Sequence, residues 1–269
     1  MLKQMLVNSS VGQAALHLRD TVELHRAVHG QREALGCLAN DILARHLLDR
    51  LCADGAIFVD VGCHIGSVLA GVARHSRPGR MIAVEAIPEK VVSLRRRFPD
   101  VEIHGCAVGD HEGEVEFTID LERSGFSSLD PALRDRIRSG RVIAVRLTTL
   151  DAILPHEGID LIKIDVEGAE LGVLRGAQAL VAASRPIFMF ESGPQEMEGF
   201  PNGALWQWFE DHDYDVVLPN RLAHFGPGMS RDIFLDSHRY PRHTTNYFGI
   251  PRERRDAARL RARALLGFD

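Results

Sequence analysis

The stretch Phe58-Val59-Asp60-Val61-Gly62-Cys63-His64-Ile65-Gly66 constrains this chain more than any other. An apolar run carrying a single acid reads as a buried strand, and the glycines after it allow a tight turn into a helix over 66–76. The pattern then repeats. Met81–Val84 is a second buried run, ending at Glu85, and Pro88 opens a helix at a position that tolerates a missing N–H. Val101–Ile103 is a third strand. Strand–helix–strand–helix–strand order predicts a parallel sheet with right-handed crossovers, hence an α/β fold.

The pattern returns downstream. Residues 160–165, Asp-Leu-Ile-Lys-Ile-Asp, form a strand, 169–183 a helix and 186–191 another strand. Residues 203–212 read as a helix, and 214–218 and 246–250 as the last two strands. In between, Glu114–Ile119 and Val142–Leu147 alternate polar and apolar residues, which suggests half-exposed antiparallel strands extending one sheet edge. Residues 11–52 have helical periodicity, so 1–52 is expected to be a helical extension and 53–251 the main domain. Within it, 219–244 is long for a loop and carries Arg221, His224, Arg231, His238, Arg239, Arg242 and His243, an acceptor-side insertion. Residues 252–269 form an arginine-rich helical tail, expected to be solvated or to pack against another subunit.

Composition narrows the function. The chain has 269 residues and a net charge of −5, without the basic excess of a general nucleic-acid binder. No stretch reaches the ~18 apolar residues of a membrane span. Four cysteines, at 37, 52, 63 and 106, have no CxxC spacing and suit free thiols in the cytoplasm. A homo-oligomer is compatible with all of this.

Open parallel sheets bind ligands beyond the carboxyl ends of their strands. Those ends carry Asp60, Glu85, Asp165 and Glu191. The glycine turn precedes a helix N-terminus, but His64 fills the second glycine position of a dinucleotide fingerprint and a P-loop lysine is absent. An acid at Asp60 suits a cationic ligand such as S-adenosylmethionine. Glu85, nineteen residues beyond Gly66, is placed to accept from ribose hydroxyls. Lys163 and Asp165 share one strand face, so the lysine must be paired; a charge cluster beneath the cofactor follows, with Asp60 and Glu191 in reach if their strands are neighbours. Glu167 either caps the next helix or points into the cleft as a base. Trp206, Trp208 and Phe209 read first as core.

These residues resemble the FkbM-type S-adenosylmethionine-dependent methyltransferases. The resemblance rests on FVDVGCHIG, VEAIP, GCAVGDHEGEVEF, LTTLDAIL and IDLIKIDVEGAELGVLRGA, and covers about residues 56–192. It implies a class I methyltransferase fold: a Rossmann-like seven-stranded, mostly parallel sheet whose last strand is antiparallel. It also implies O-methylation of a sugar or natural-product hydroxyl, with a small-molecule or glycan acceptor. On this basis the cofactor set is Asp60, Gly62, Cys63, His64, Gly66, Ser67, Glu85, Ala86, Cys106, Ala107 and Asp165. Asp60, Gly62, His64 and Gly66 would hold the methionine part, Glu85 the ribose, and Cys106 and Ala107 would lie near the adenine. Asp165, Glu167 and His64 are the candidate catalytic residues. The family usually has asparagine at the position of His64, and a proline nearer the ribose acid than Pro88. A divalent metal held by Asp165 and Glu191 is the less favoured route, since no histidine cluster has ligand spacing. The alternatives are a nicotinamide-dependent oxidoreductase, which His64 and the lack of a Tyr-x-x-x-Lys pair count against, and a binding protein without turnover.

Overall fold

The computed structural model describes residues 10–120, 140–194 and 200–268. Residues 1–9 of the expected helical extension and Asp269 of the tail lie outside them. Strands β1 (Ile57–Val61), β2 (Arg80–Glu85), β3 (Glu102–Gly105), β7 (Ile159–Ile164), β8 (Ile187–Glu191), β9 (Tyr214–Val217) and β10 (Asn246–Pro251) form one sheet in the order β3-β2-β1-β7-β8-β10-β9. The β1–β2, β2–β3, β1–β7 and β7–β8 pairs are parallel, and β10 is antiparallel to both β8 and β9. This is the class I methyltransferase arrangement. The order reverses at β1, so the carboxyl ends of β1 and β7 flank the crevice where such sheets bind ligands.

Alternation along each strand divides the core between the two sheet faces. Phe58, Leu161, Met189 and Phe248 pack with Leu47, Leu48 and Leu51 of the helix Leu35–Leu51 and with Ala258 and Ala262 of the helix Arg255–Leu266. One face of the C-terminal helix is therefore packed within its own chain, through Ala258 and Ala262. Its Arg261 also donates to the carbonyls of Arg50 and Cys52. On the opposite face, Val59, Ile162 and Phe188 pack with Leu174, Leu180, Trp208 and Phe209. The aromatic residues of the helix Ala204–Asp211 thus serve packing, and Trp206 donates to the Met229 carbonyl at 2.8 Å.

Two expectations need correction. The alternating strands β5 (Gly113–Asp120) and β6 (Gly140–Thr148) do not extend the main sheet. With the two-residue β4 (Ala107–Val108) they form a separate sheet, β4-β6-β5. Its inner residues Phe117, Ile119, Val145 and Leu147 bury themselves against Ile87 and Ala107, leaving Glu114, Glu116 and Arg146 outside. The helix over 169–183 is two helices, Glu170–Arg175 and Gln178–Ser184. Gly176 lies against the carbonyl of Gly109, where a Cβ would collide, and the break frees the amides of Ala179 and Leu180 to bond Asp151, each at 2.9 Å. The segment 219–244 contains the 3-10 turn Pro219–Arg221 and the helix Arg231–Ser237. It is tied to the helix Leu35–Leu51, where Asn40 donates to the His243 carbonyl at 2.8 Å and Asp41 accepts from the Thr244 hydroxyl at 2.7 Å.

Candidate active site

The turn after β1 is built by its neighbours. Gly62 has φ +78°, and a Cβ there would collide with the backbone carbonyl of Asp165. Glycine is thus required because the loops after β1 and β7 almost touch. His64 also has a left-handed backbone, φ +50°, a conformation that costs about 1–3 kcal/mol where surroundings enforce it. Its amide donates to Glu85 Oε2 at 2.9 Å, and the Ile87 amide donates to Oε1 at 2.9 Å. Glu85 is thereby oriented by two backbone donors, and each carboxylate oxygen keeps a lone pair for another donor. Burial pushes the Glu85 pKa up, against the pull of Lys90 and these amides.

A cleft of about 540 Å³ opens over the strand ends. Gly62, His64, Glu85, Ala86, Cys106, Ala107, Asp165 and Glu167 line it together, with Val108, Phe117 and Lys90. The second sheet gives it an apolar wall, and Glu85 is a polar anchor on its floor. A nucleoside fits this combination: an apolar slot for a base beside a carboxylate for two ribose hydroxyls. Cys63 and Ser67 line a second cavity, of about 800 Å³, on the other side of His64 and Asp165. Arg45, Lys163, Met189, Glu191, Thr245 and Asn246 complete that wall. A third, smaller cavity runs beside Glu167 and Glu191 to Arg242.

Two residues of the expected cofactor set are placed elsewhere. Asp60 has a fully buried side chain, 0% exposed, beneath the turn. Parallel register sets it beside Lys163, whose Nζ approaches Asp60 Oδ1 to 3.4 Å. It faces the Lys163 ammonium and lines none of these three cavities, and burial raises its pKa more than Lys163 lowers it. Gly66 has φ +77° and faces the core, where a Cβ would press on Leu94 and Phe98. Its freedom serves the start of the helix Ser67–His75.

The charge cluster is present. Lys163 Nζ lies 3.0 Å from Asp165 Oδ2, and the strand order brings Glu191 in from β8. Donor oxygens of Asp165, Glu167 and Glu191 all lie within 4.8 Å of one another. Burial opposes ionisation of Asp165, but the Lys163 charge and hydrogen bonds from Glu191 and Lys163 outweigh it and hold its pKa below the usual carboxylate value. Burial and then the Asp165 charge drive Glu191 well above the usual range, so within the hydrogen-bonded pair the proton favours Glu191 over Asp165. Burial, then the charges of Asp165 and Glu170, push Glu167 up to about 8. Glu167 has φ +54°. It does not cap the next helix. Glu170 ties down the loop instead, accepting from the Val166 amide at 3.0 Å and the Gly168 amide at 3.3 Å, while Glu167 lines the cleft.

Sequence reasoning missed Phe117, Lys90, Arg45 and Asn246, whereas Arg242 falls in the segment it marked as acceptor-side. Phe117 was detectable, since the alternation of β5 sets it on the face of Val115 and Ile119. Arg45 and Asn246 come from distant parts of the chain, and no local pattern marks either.

Comparison with known proteins agrees with this geometry. Residues 60–216 match the methyltransferase FkbM domain. Over 175 residues the chain is 29% identical to the AMB antimetabolite synthetase AmbE of Pseudomonas aeruginosa, a match covering 50% of this chain and 8% of that protein. The chain therefore corresponds to a small part of that much longer relative. Among solved structures, it is similar to a precorrin-6y C5,15-methyltransferase from Geobacter metallireducens GS-15, with 15% identity and a TM-score of 0.40 over 65% of this chain and 72% of the other. It is also similar to a ribosomal protein L11 methylase from Lactobacillus delbrueckii subsp. bulgaricus, with 10% identity and a TM-score of 0.41 over 77% of this chain and 74% of the other. With the FkbM domain spanning more than half its length, this chain belongs to the FkbM methyltransferase family.

Proposed function

We propose that this protein transfers a methyl group from S-adenosylmethionine to a hydroxyl oxygen of a sugar or natural product. The observation carrying the reading is that Asp165 and His64 stand at the boundary of two cavities, one shaped for a nucleoside and one polar and open. In this reading Glu85 holds the ribose, Ala107, Val108 and Phe117 hold the base, and Cys63, His64 and Ser67 border the amino-acid end. S-adenosylmethionine supplies an already activated methyl group, so much of the catalysis is positioning.

The protein's own contribution is to orient the acceptor hydroxyl and receive its proton. Asp165 is ionised and fixed by Lys163 from one side and by Glu191 from the other, which makes it a rigid acceptor for the hydroxyl hydrogen. Glu167, with its pKa pushed up to about 8, takes up a proton near neutral pH more readily than an ordinary carboxylate. Such a positioned base contributes about 10²–10⁴-fold. Thr245, Asn246 and Arg45 line the acceptor side.

A second reading places a divalent cation at Asp165, Glu167 and Glu191, favoured by their clustering. It would have to displace the proton that Glu191 shares with Asp165. Transfer of labelled methyl from S-adenosylmethionine to a panel of sugar and polyketide acceptors tests the function, and chelator tests the second reading. Turnover that survives EDTA supports proton sharing. Turnover lost to EDTA and restored by magnesium or manganese supports the cation.

A further inference from the structure

The acceptor-side cavity does not end at Arg45. Arg45, Ser67 and Val68 line it and also line a groove of about 1150 Å³ that runs between the helices Ser10–Gly30, Leu35–Leu51 and Ser67–His75. The two spaces adjoin at these three residues, so a chain-like ligand with one end at Asp165 that leaves past Arg45 meets the groove next.

The groove is positively charged. Arg19, Arg45 and Arg50 line it, with His46 beside them. Against these three guanidiniums stand two lining acids, Asp20 and Asp49, which leaves the lining one positive group in excess, and Glu23 lies 3.8 Å from Arg19. Asp20 is shared between Arg19 at 3.0 Å and Arg45 at 2.9 Å. Asp49 is tucked under Gly71, where a Cβ would meet its carboxylate, and burial pushes its pKa up to about 7 despite Arg50 and Arg45. Arg50 Nη1 bonds back to its own helix, to the His46 carbonyl at 3.3 Å, and so remains on the groove wall. Guanidinium groups recognise carboxylates and phosphates by paired N–H donors. The walls are helices rather than loops, so the three guanidiniums sit on a fixed frame.

We infer that this groove is an outer acceptor subsite that binds a carboxylate- or phosphate-bearing saccharide, with Arg45 at its junction with the methyl-transfer site and Arg50 further out. The inference rests on the proposed methyl transfer only for the direction in which the acceptor lies. It restricts the substrate class to acidic glycans or phosphorylated sugars, and it makes the N-terminal helices a specificity element.

The test is calorimetric titration of the full chain with trigalacturonate, glucose 1-phosphate and maltotriose, with and without S-adenosylhomocysteine. At least one anionic probe is expected to bind about tenfold or more tighter than maltotriose, a difference of about 1.4 kcal/mol. That binding should weaken between about 0.05 and 0.3 M salt. It should also weaken about fivefold or more in both Arg45→Met and Arg50→Gln, as expected for loss of a charge-assisted hydrogen bond. Arg50→Gln leaves the Arg45–Asp20 pair intact and guards against a folding defect in Arg45→Met. The preferred anionic probe tells carboxylate from phosphate. Equal binding of all three probes, or anion binding unchanged in both variants, overturns the inference. Failure of S-adenosylhomocysteine to bind while trigalacturonate or glucose 1-phosphate still does would instead sink the methyl-transfer reading.

Discussion

Lys163 Nζ stands 3.0 Å from Asp165 Oδ2, two residues along the same strand, and 3.4 Å from Asp60 Oδ1 on the neighbouring one. One ammonium therefore serves a carboxylate at the edge of the cleft and another sealed in the core. Burial works against the Lys163 charge, but Asp165 and then Asp60 outweigh it and hold the lysine above its ordinary pKa. Lys163→Met leaves Asp60 buried without its counter-charge. Removing one partner of a buried pair costs about 3–5 kcal/mol, and urea denaturation should show a loss of that order. A change below about 1 kcal/mol would mean that Asp60 is neutral and needs no partner.

Asp165→Asn keeps the shape of the side chain and removes its charge. Turnover with any accepted substrate is expected to fall about tenfold or more, while S-adenosylhomocysteine affinity stays within about threefold. Unchanged turnover removes Asp165 from the chemistry.

Gly62→Ala tests the contact between the two loops. Alanine at φ +78° is strained, and its methyl would meet the Asp165 carbonyl. Strain of this kind costs about 1–3 kcal/mol before the collision is counted. The melting temperature should drop, and affinity for S-adenosylhomocysteine should weaken about tenfold or more. Gly55→Ala, at φ +81° but with open space around it, serves as a control carrying strain without collision.

Glu167 sets a pH dependence whose sign follows from its raised pKa. In the unfolded chain the group titrates near the ordinary glutamate value, and in the fold at about 8. The folded state therefore holds the extra proton between these limits. The stability it contributes is fully present below the unfolded value and is lost as pH rises through about 8. Glu167→Gln should gain stability relative to the parent protein across that window, measured by urea unfolding at successive pH values. A constant difference between the two proteins would show that Glu167 titrates normally.

Much of the fold was legible because the central strands are short, mostly apolar runs followed by an acid or a glycine. Glu85, Asp165 and Glu167 could be placed on the cleft from sequence because strand ends define it. The Asp60–Lys163 proximity was conditional on strand order, and the β1–β7 pairing supplies that condition. The surroundings of Gly66 were not legible, since Leu94 and Phe98, which a Cβ there would meet, lie some thirty residues away in sequence. The far wall of the second cavity escaped detection. Arg45 and Asn246 are brought together by Asp41, which accepts from the backbone and side chain of the segment 244–246, and no local periodicity encodes that clasp.

Titration of the folded protein with S-adenosylhomocysteine, followed by calorimetry, tests the central claim most directly. Binding of one molecule per chain is predicted, weakened about tenfold in Glu85→Gln because a charged acceptor for the ribose hydroxyls is lost. No heat with either S-adenosylmethionine or S-adenosylhomocysteine, from material shown to be folded, would contradict it.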